Sequence, residues 1–424
     1  MAPLNALRVS GTIRPPGDKS ISHRALILSA VSRGKSRITN VLESADVRAT
    51  AAALRLLGAA IPPLSDDFFV AGIQPRYLRS PRLPIDCGNS GTTARLISGV
   101  IAGAGLTATF TGDASLSRRP MTRIAEPLRA MGARVDVASH GGLPMVIASG
   151  PLRPIEWESV VASAQVKSAI LLAGVLGGVR AVVSEPFLSR DHTERMLVYR
   201  GVTLAREGNR VEVPAGQRLR PADVRVPADP SSAAYFVALA TLASAGELRM
   251  TDVCLNPTRT GFLTVLRRMG AELDVMDRRE DGGEMTGTIV ARPSALRAIE
   301  IGPDEIPALI DELPLLACIA TRAAGETVVL GAGELRVKES DRIATIVRNL
   351  RALGAEAEEL RDGFRVTGAR GALHGAISTH GDHRVAMSFG ILGALPGNRI
   401  VIDDRDCVAV SYPGFWRDLD SVQA

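Results

Sequence analysis

Four times this chain repeats the pattern Leu-Arg-x-Leu/Met-Gly-Ala. The copies are Leu54–Ala59, Leu128–Ala133, Leu266–Ala271 and Leu350–Ala355, with a looser one from Leu197 to Val202. A glycine just past a helix adopts the left-handed conformation that ends it, and an extended segment follows. Gly58, Gly132, Gly201, Gly270 and Gly354 stand roughly 70 to 85 residues apart, which divides the chain into about six α/β units. That period is too long for a solenoid repeat and suits a module of two helices and several strands.

The 424 residues suffice for two domains of about 200 residues, each with its own core. A boundary is predicted at Val226-Pro227-Ala228-Asp229-Pro230, where two prolines flank a turn ahead of the apolar run Ser231–Ala240.

The net charge of +5 comes without any Lys/Arg-rich run, and aromatic residues make up 4% of the chain. Both facts argue against a nucleic-acid partner and favour small anionic ligands. Cys87, Cys254, Cys318 and Cys407 are widely separated and show neither metal-ligand nor disulfide spacing. No apolar run is long enough to span a membrane, and Met1–Asn5 has no charged segment leading into an apolar one. A cytoplasmic protein with no membrane partner is expected.

Lys19, Lys35, Lys167 and Lys338 are the four lysines among 50 basic residues. Where arginine supplies the surface charge, a retained lysine is a candidate for chemistry that a planar guanidinium cannot do. Three of the four lie in dense polar motifs. Pro16-Gly17-Asp18-Lys19-Ser20 leads through His23 and Arg24 into an apolar run, Ala25–Val31. Such a turn offers N–H groups and hydroxyls to an anion at a helix start, although its spacing is not that of a P-loop. Ser163-Ala164-Gln165 precedes Lys167, and Lys338-Glu339-Ser340-Asp341-Arg342 surrounds Lys338. Lys35 lies in a bland Ser-Arg-Gly-Lys-Ser turn.

Other polar turns have the same look. Asp86–Leu96 contains Asn89, Gly91 and Thr92, with glycines that allow close backbone approach to a ligand. Gly112–Met121 contains Arg118 and Arg119 ahead of Pro120. Ser189-Arg190-Asp191-His192, Asp311-Glu312-Leu313-Pro314 and Gly381-Asp382-His383-Arg384 complete the series. Fixed cations with two carboxylates among them suit a pair of anionic ligands with acid–base catalysis between them. His192 and His383 are expected to make structural hydrogen bonds.

Taken in order, from Pro16 to about Pro413, these motifs resemble the 5-enolpyruvylshikimate-3-phosphate synthase (3-phosphoshikimate 1-carboxyvinyltransferase) family, in its divergent bacterial branch. The resemblance implies an α/β (α+β) fold of two similar domains, each of three βαβαββ units. This is the inside-out barrel of the enolpyruvyl transferases, with a ligand cleft between the domains. It implies a discontinuous domain I of residues 1–15 plus 228–424 and a domain II of residues 16–227. It also implies a monomer that transfers the enolpyruvyl group of phosphoenolpyruvate to shikimate 3-phosphate without metal or organic cofactor.

Residue by residue, the resemblance gives Lys19, Asp311 and Glu339 catalytic roles. Asp311 would be the base at the 5-hydroxyl, and Glu339 with Lys19 the proton-transfer pair at the methylene. Shikimate 3-phosphate would be held by Lys19, Ser20, Arg24, Ser163, Ala164, Gln165, Arg190, Asp311 and Lys338. Phosphoenolpyruvate would be held by Lys19, Asn89, Gly91, Thr92, Arg119, Gln165, Arg342 and Arg384, and glyphosate would compete there. Two positions depart from the family pattern: Val410 replaces a lysine before Ser411-Tyr412-Pro413, and Ala164 replaces a second serine. The sister transferase acting on UDP-N-acetylglucosamine is the main alternative, but its usual loop cysteine has no counterpart between Cys87 and Cys254. An RNA-end or nucleotide-binding module would need aromatic or P-loop features that are absent.

Overall fold

The structure is a computed structural model that describes residues 6–148, 150–368 and 371–423. The leader reading of Met1–Asn5 lies outside the described residues. All five repeat glycines have positive φ, between 82° and 106°. Each ends its helix as the repeat predicts, because a side chain there would strain the backbone.

Six sheets follow from this punctuation among the described residues, and four of them share one four-stranded order. Ile85–Asp86 pairs in parallel with Thr107–Thr111. That strand pairs antiparallel with Met145–Ala148, which in turn pairs antiparallel with Arg134–Val137. The same order recurs from Ile155–Glu158 through Ala181–Ser184 and Arg210–Val213 to Ala205–Glu207. It recurs again from Glu300–Ile301 through Glu326–Val329 and Gly363–Thr367 to Ala357–Leu360. Parallel neighbours need a crossover, and in each module a helix supplies it.

Two modules exchange their first strands. Arg8–Ile13 pairs in parallel with Ala245–Cys254, and Val224–Arg225 pairs in parallel with Gly34–Thr39. The chain therefore divides into two compact units. One comprises the chain up to Pro16, Pro227–Arg279 and the stretch from Met285 onward; the other comprises Gly17–Val226 with Glu280–Glu284. Those five residues form a hairpin tip that sequence reading did not separate from the surrounding strands.

Within the Gly17–Val226 unit, Ile21–Ala30 and Val166–Val175 are buried on every face of their helices. In the other unit the same holds for Pro230–Thr241. A helix apolar all round is one enclosed by other elements. The helices Gly91–Gly103 and Ala164–Gly177 approach so closely that a Cβ on Gly99 would lie 2.4 Å from the Ala169 carbonyl oxygen. This contact sets their first turns side by side.

Four of the fifteen aromatic residues pack against one another. Tyr235, Phe236, Tyr412 and Phe415 form a cluster with ring centroids 5.5–6.1 Å apart. Tyr412 of the Ser-Tyr-Pro turn is thus a core residue, with its hydroxyl donating to Asp418 at 2.9 Å. No helix among the described residues is long and apolar enough to cross a membrane.

Candidate active site

In the Gly17–Val226 unit, the predicted residues gather at helix N-termini, where unpaired N–H groups and the helix dipole favour anions. Lys19 opens the helix Lys19–Ala30, whose N-cap Asp18 accepts from the Ile21 N–H at 2.8 Å. Asp18 therefore stabilises the helix by about 1 kcal/mol and takes one of the donors that sequence reading offered to an anion. The Lys19 ammonium lies 2.5 Å from Asp46 Oδ2, a partner that sequence reading did not name.

One turn on, Arg24 is buried and donates to the Ser20 carbonyl at 2.9 Å, Ser168 Oγ at 2.8 Å and Thr193 Oγ1 at 2.6 Å. Burial pulls its pKa down to about 10, against the upward pull of Glu194 and Asp18. Arg24 is thus a fixed buried cation, bonded to neutral oxygens, and not a mobile surface arm.

The second group starts at the helix Gly91–Gly103. Gln165, in the first turn of its own helix, donates through Nε2 to Thr92 Oγ1 at 3.0 Å and accepts from Arg95 Nη1 at 2.6 Å. Arg119 donates to Asn89 Oδ1 at 2.6 Å, and the Asn89 amide donates to Asp113 at 2.6 Å. Asn89, Thr92, Arg119 and Gln165 therefore stand together around Gly91. Arg95 belongs with them; its signal was the position one helical turn after Gly91. Ser163 caps the helix Ala164–Gly177, and its N–H donates to Glu185 at 2.9 Å. Ala164 is the first residue of that helix, and Arg190 lies close enough to Arg24 to depress its pKa further.

In the other unit, Arg342 opens the helix Arg342–Ala352 and is almost fully buried. It donates to Asp382 at 2.8 and 3.2 Å, Glu339 at 2.6 Å and Asp311 at 3.3 Å. Burial alone would lower its pKa, but Asp382, Glu339 and Asp311 outweigh burial and raise it. Arg384 lies 3.4 Å from the other Asp311 oxygen, and Lys338 lies 4.0 Å from Asp311. The structure thus brings together Asp311, Lys338, Glu339, Arg342 and Arg384. It adds Asp382, which caps the helix His383–Gly393 and anchors Arg342 in one step.

The remaining lysines and histidines sort differently. Lys35 lies over the Phe69 ring at 3.8 Å on a surface strand pair. His192 makes the structural bond expected of it, to Glu284 at 2.6 Å, and His383 is buried. Among the described residues no group of His, Cys, Asp and Glu is arranged to hold a metal ion.

The sequence model of EPSP synthase (3-phosphoshikimate 1-carboxyvinyltransferase) matches residues 5–419. The 3-phosphoshikimate 1-carboxyvinyltransferase of Sulfurihydrogenibium sp. (strain YO3AOP1) is 46% identical over 420 residues, covering 98% of this chain and 97% of the relative. Among solved structures, EPSP synthase from Acinetobacter baumannii is 38% identical with a TM-score of 0.87, covering 99% of this chain and 96% of that one. The enolpyruvyl transferase NikO from Streptomyces tendae is 18% identical with a TM-score of 0.74, covering 100% of this chain and 98% of that one, and shares the fold.

Proposed function

The chain belongs to the EPSP synthase (3-phosphoshikimate 1-carboxyvinyltransferase) family, and from that premise we propose how its residues divide the reaction. The enzyme transfers the enolpyruvyl group of phosphoenolpyruvate to the 5-hydroxyl of shikimate 3-phosphate. It releases phosphate and gives 5-enolpyruvylshikimate 3-phosphate, on the shikimate route to chorismate and the aromatic amino acids.

Protonation of the methylene carbon makes the central carbon of phosphoenolpyruvate electrophilic. Asp311 takes the 5-hydroxyl proton as that oxygen bonds to the central carbon. From the tetrahedral intermediate the bond to the phosphate oxygen breaks, and the methyl group returns a proton to restore the double bond. Glu339 and Lys19 carry the proton at the methylene carbon. The observation that supports these roles is the fixing of both carboxylates by one buried guanidinium, with Arg342 at 2.6 Å from Glu339 and 3.3 Å from Asp311. Preorganised charge of this kind does not have to reorient during the reaction.

Ser20, Arg24, Ser163, Ala164, Gln165, Arg190 and Lys338 hold shikimate 3-phosphate, with Lys19 and Asp311 at its reacting edge. Ala164 contributes backbone only, so Ser163 is the hydroxyl left to that phosphate contact. Asn89, Gly91, Thr92, Arg119, Gln165, Arg342 and Arg384 hold phosphoenolpyruvate with Lys19, and glyphosate competes for the same groups. With valine at 410, the cations for this ligand are Lys19, Arg119, Arg342 and Arg384. The enzyme works as a cytoplasmic monomer. Phosphate release from phosphoenolpyruvate with shikimate 3-phosphate as acceptor tests the activity; Lys19→Met and Glu339→Ala test the roles.

A further inference from the structure

Lys167 has no part in the assignments above, yet its side chain is completely buried. Its ammonium lies 2.7 Å from Glu185 Oε2 and 2.8 Å from Glu194 Oε1, and it donates to the Ser189 carbonyl at 3.4 Å. Three N–H donors thus face three acceptors. Burial lowers the lysine's pKa, but Glu194 and Glu185 outweigh burial and the net shift is upward, so the residue is a cation.

Both carboxylates lead onward. Glu185 accepts from the Ser163 N–H at 2.9 Å through Oε1 and from Ser189 Oγ at 2.7 Å through Oε2. Glu194 follows Thr193, whose Oγ1 accepts from Arg24 Nε at 2.6 Å and lies 2.6 Å from Ser168 Oγ. Ser168 Oγ in turn accepts from Arg24 Nη2 at 2.8 Å. Ser189, held at both its carbonyl and its hydroxyl, directly precedes Arg190. One buried ammonium therefore ties together the segments that carry Ser163, Arg190 and Arg24.

We propose that Lys167 is a positioning residue for the acceptor phosphate, fixing Ser163, Arg190 and Arg24 through Glu185 and Glu194 without touching the substrate. The proposal rests on the assignment of those three residues to shikimate 3-phosphate. Without the ammonium, two nearly inaccessible carboxylates face each other with no cation between them, and a buried pair robbed of one partner rearranges. Glu185 then no longer holds the Ser163 N–H, and the helix bearing Glu194 loses its tie to the segment before Arg190. With Ala164 in place of a second serine, there is no neighbouring hydroxyl to compensate.

The test is steady-state kinetics of the full chain with Lys167→Met, which keeps an unbranched stem without the ammonium, and Glu194→Gln, which keeps shape and leaves Lys167 paired with Glu185. Lys167→Met is expected to raise KM for shikimate 3-phosphate about tenfold or more, with kcat and the KM for phosphoenolpyruvate within about twofold of wild type. Glu194→Gln should give the same selective change at smaller size. A fall in kcat with both KM values unchanged, an equal rise in both, or no change would overturn the positioning role. If Lys167→Met does not fold, the decision passes to Glu194→Gln on the same criteria. Wild-type enzyme is assayed alongside: no turnover there contradicts the functional reading and the proposal with it, whereas normal wild-type turnover with unselective variants contradicts the positioning role alone.

Discussion

Arg342, the first residue of its helix, donates through Nη2 to Glu339 Oε2 at 2.6 Å, three residues back in the turn that precedes the helix. Asp382 accepts from Nε and Nη2 of the same guanidinium at 2.8 and 3.2 Å, and Asp311 accepts from Nη1 at 3.3 Å, so the Glu339 carboxylate has a fixed place. Glu339→Gln keeps a hydrogen-bond acceptor for Arg342 but cannot carry a proton. Turnover is expected to fall by about 10²–10⁴, the usual share of general acid–base catalysis, with the circular dichroism spectrum and thermal midpoint unchanged. Glu339→Ala should fall at least as far. Near-wild-type turnover in Glu339→Gln would reduce Glu339 to a partner of Arg342.

Lys19 makes a parallel case in the other unit. Its ammonium stands 2.5 Å from Asp46 in a largely buried setting. Lys19→Met should cut kcat by orders of magnitude and raise the KM for phosphoenolpyruvate. Asp46→Asn, which removes the negative charge beside the lysine but leaves the ammonium in place, should cost less than Lys19→Met. Rapid-quench measurement of a single turnover separates the chemical step from binding; an unaltered single-turnover rate in Lys19→Met would exclude a role in proton transfer.

A methyl group added at Gly91 would lie 3.0 Å from Arg95 Nη1 and 3.5 Å from Arg119 Nη1. The position is the first of a helix, so alanine suits the backbone and the guanidinium must give way. Stability should change by less than about 0.5 kcal/mol. Inhibition assays on Gly91→Ala should show a raised KM for phosphoenolpyruvate and a larger loss of glyphosate inhibition, with the KM for shikimate 3-phosphate unchanged. Wild-type enzyme should be glyphosate-sensitive; tolerance at low phosphoenolpyruvate would contradict the placement of Gly91.

His23 sets a pH dependence. Its Nδ1 lies 2.7 Å from Thr50 Oγ1, and burial, with Lys19 and then Arg24 adding like charge, holds its pKa well below the ordinary 6.5. Below pH 6.5 the unfolded chain binds a proton at this ring that the folded chain refuses. Stability is therefore fully present above pH 6.5 and is lost as the pH falls toward the depressed value, by up to about 1.4 kcal/mol per pH unit. Urea midpoints at pH 7.5 and 5.5 check this: His23→Asn should fall less than wild type between the two. An equal fall in both would assign the pH dependence to other groups.

Gly58, Gly132, Gly201, Gly270 and Gly354 are local signals, since a positive φ after a helix is decided within one turn, and they gave the modular fold. The polar turns at Lys19, Gly91, Gln165, Arg342 and Arg384 are also local, because a helix N-terminus announces itself by its capping residues. The partners of these residues were not legible. Asp46 beside Lys19, and Glu185 and Glu194 around Lys167, are tertiary pairings between segments that no spacing rule connects. The charge of Arg24 is visible in the sequence, but its burial against Thr193 and Ser168 is not. Lysine scarcity did pick out Lys167, yet only the two carboxylates around it explain why a compact ammonium is kept there.

Phosphate release from phosphoenolpyruvate identifies the acceptor directly. With shikimate 3-phosphate, release should be rapid and stoichiometric with 5-enolpyruvylshikimate 3-phosphate, while UDP-N-acetylglucosamine should give none. Release with the nucleotide sugar and none with shikimate 3-phosphate would contradict the account.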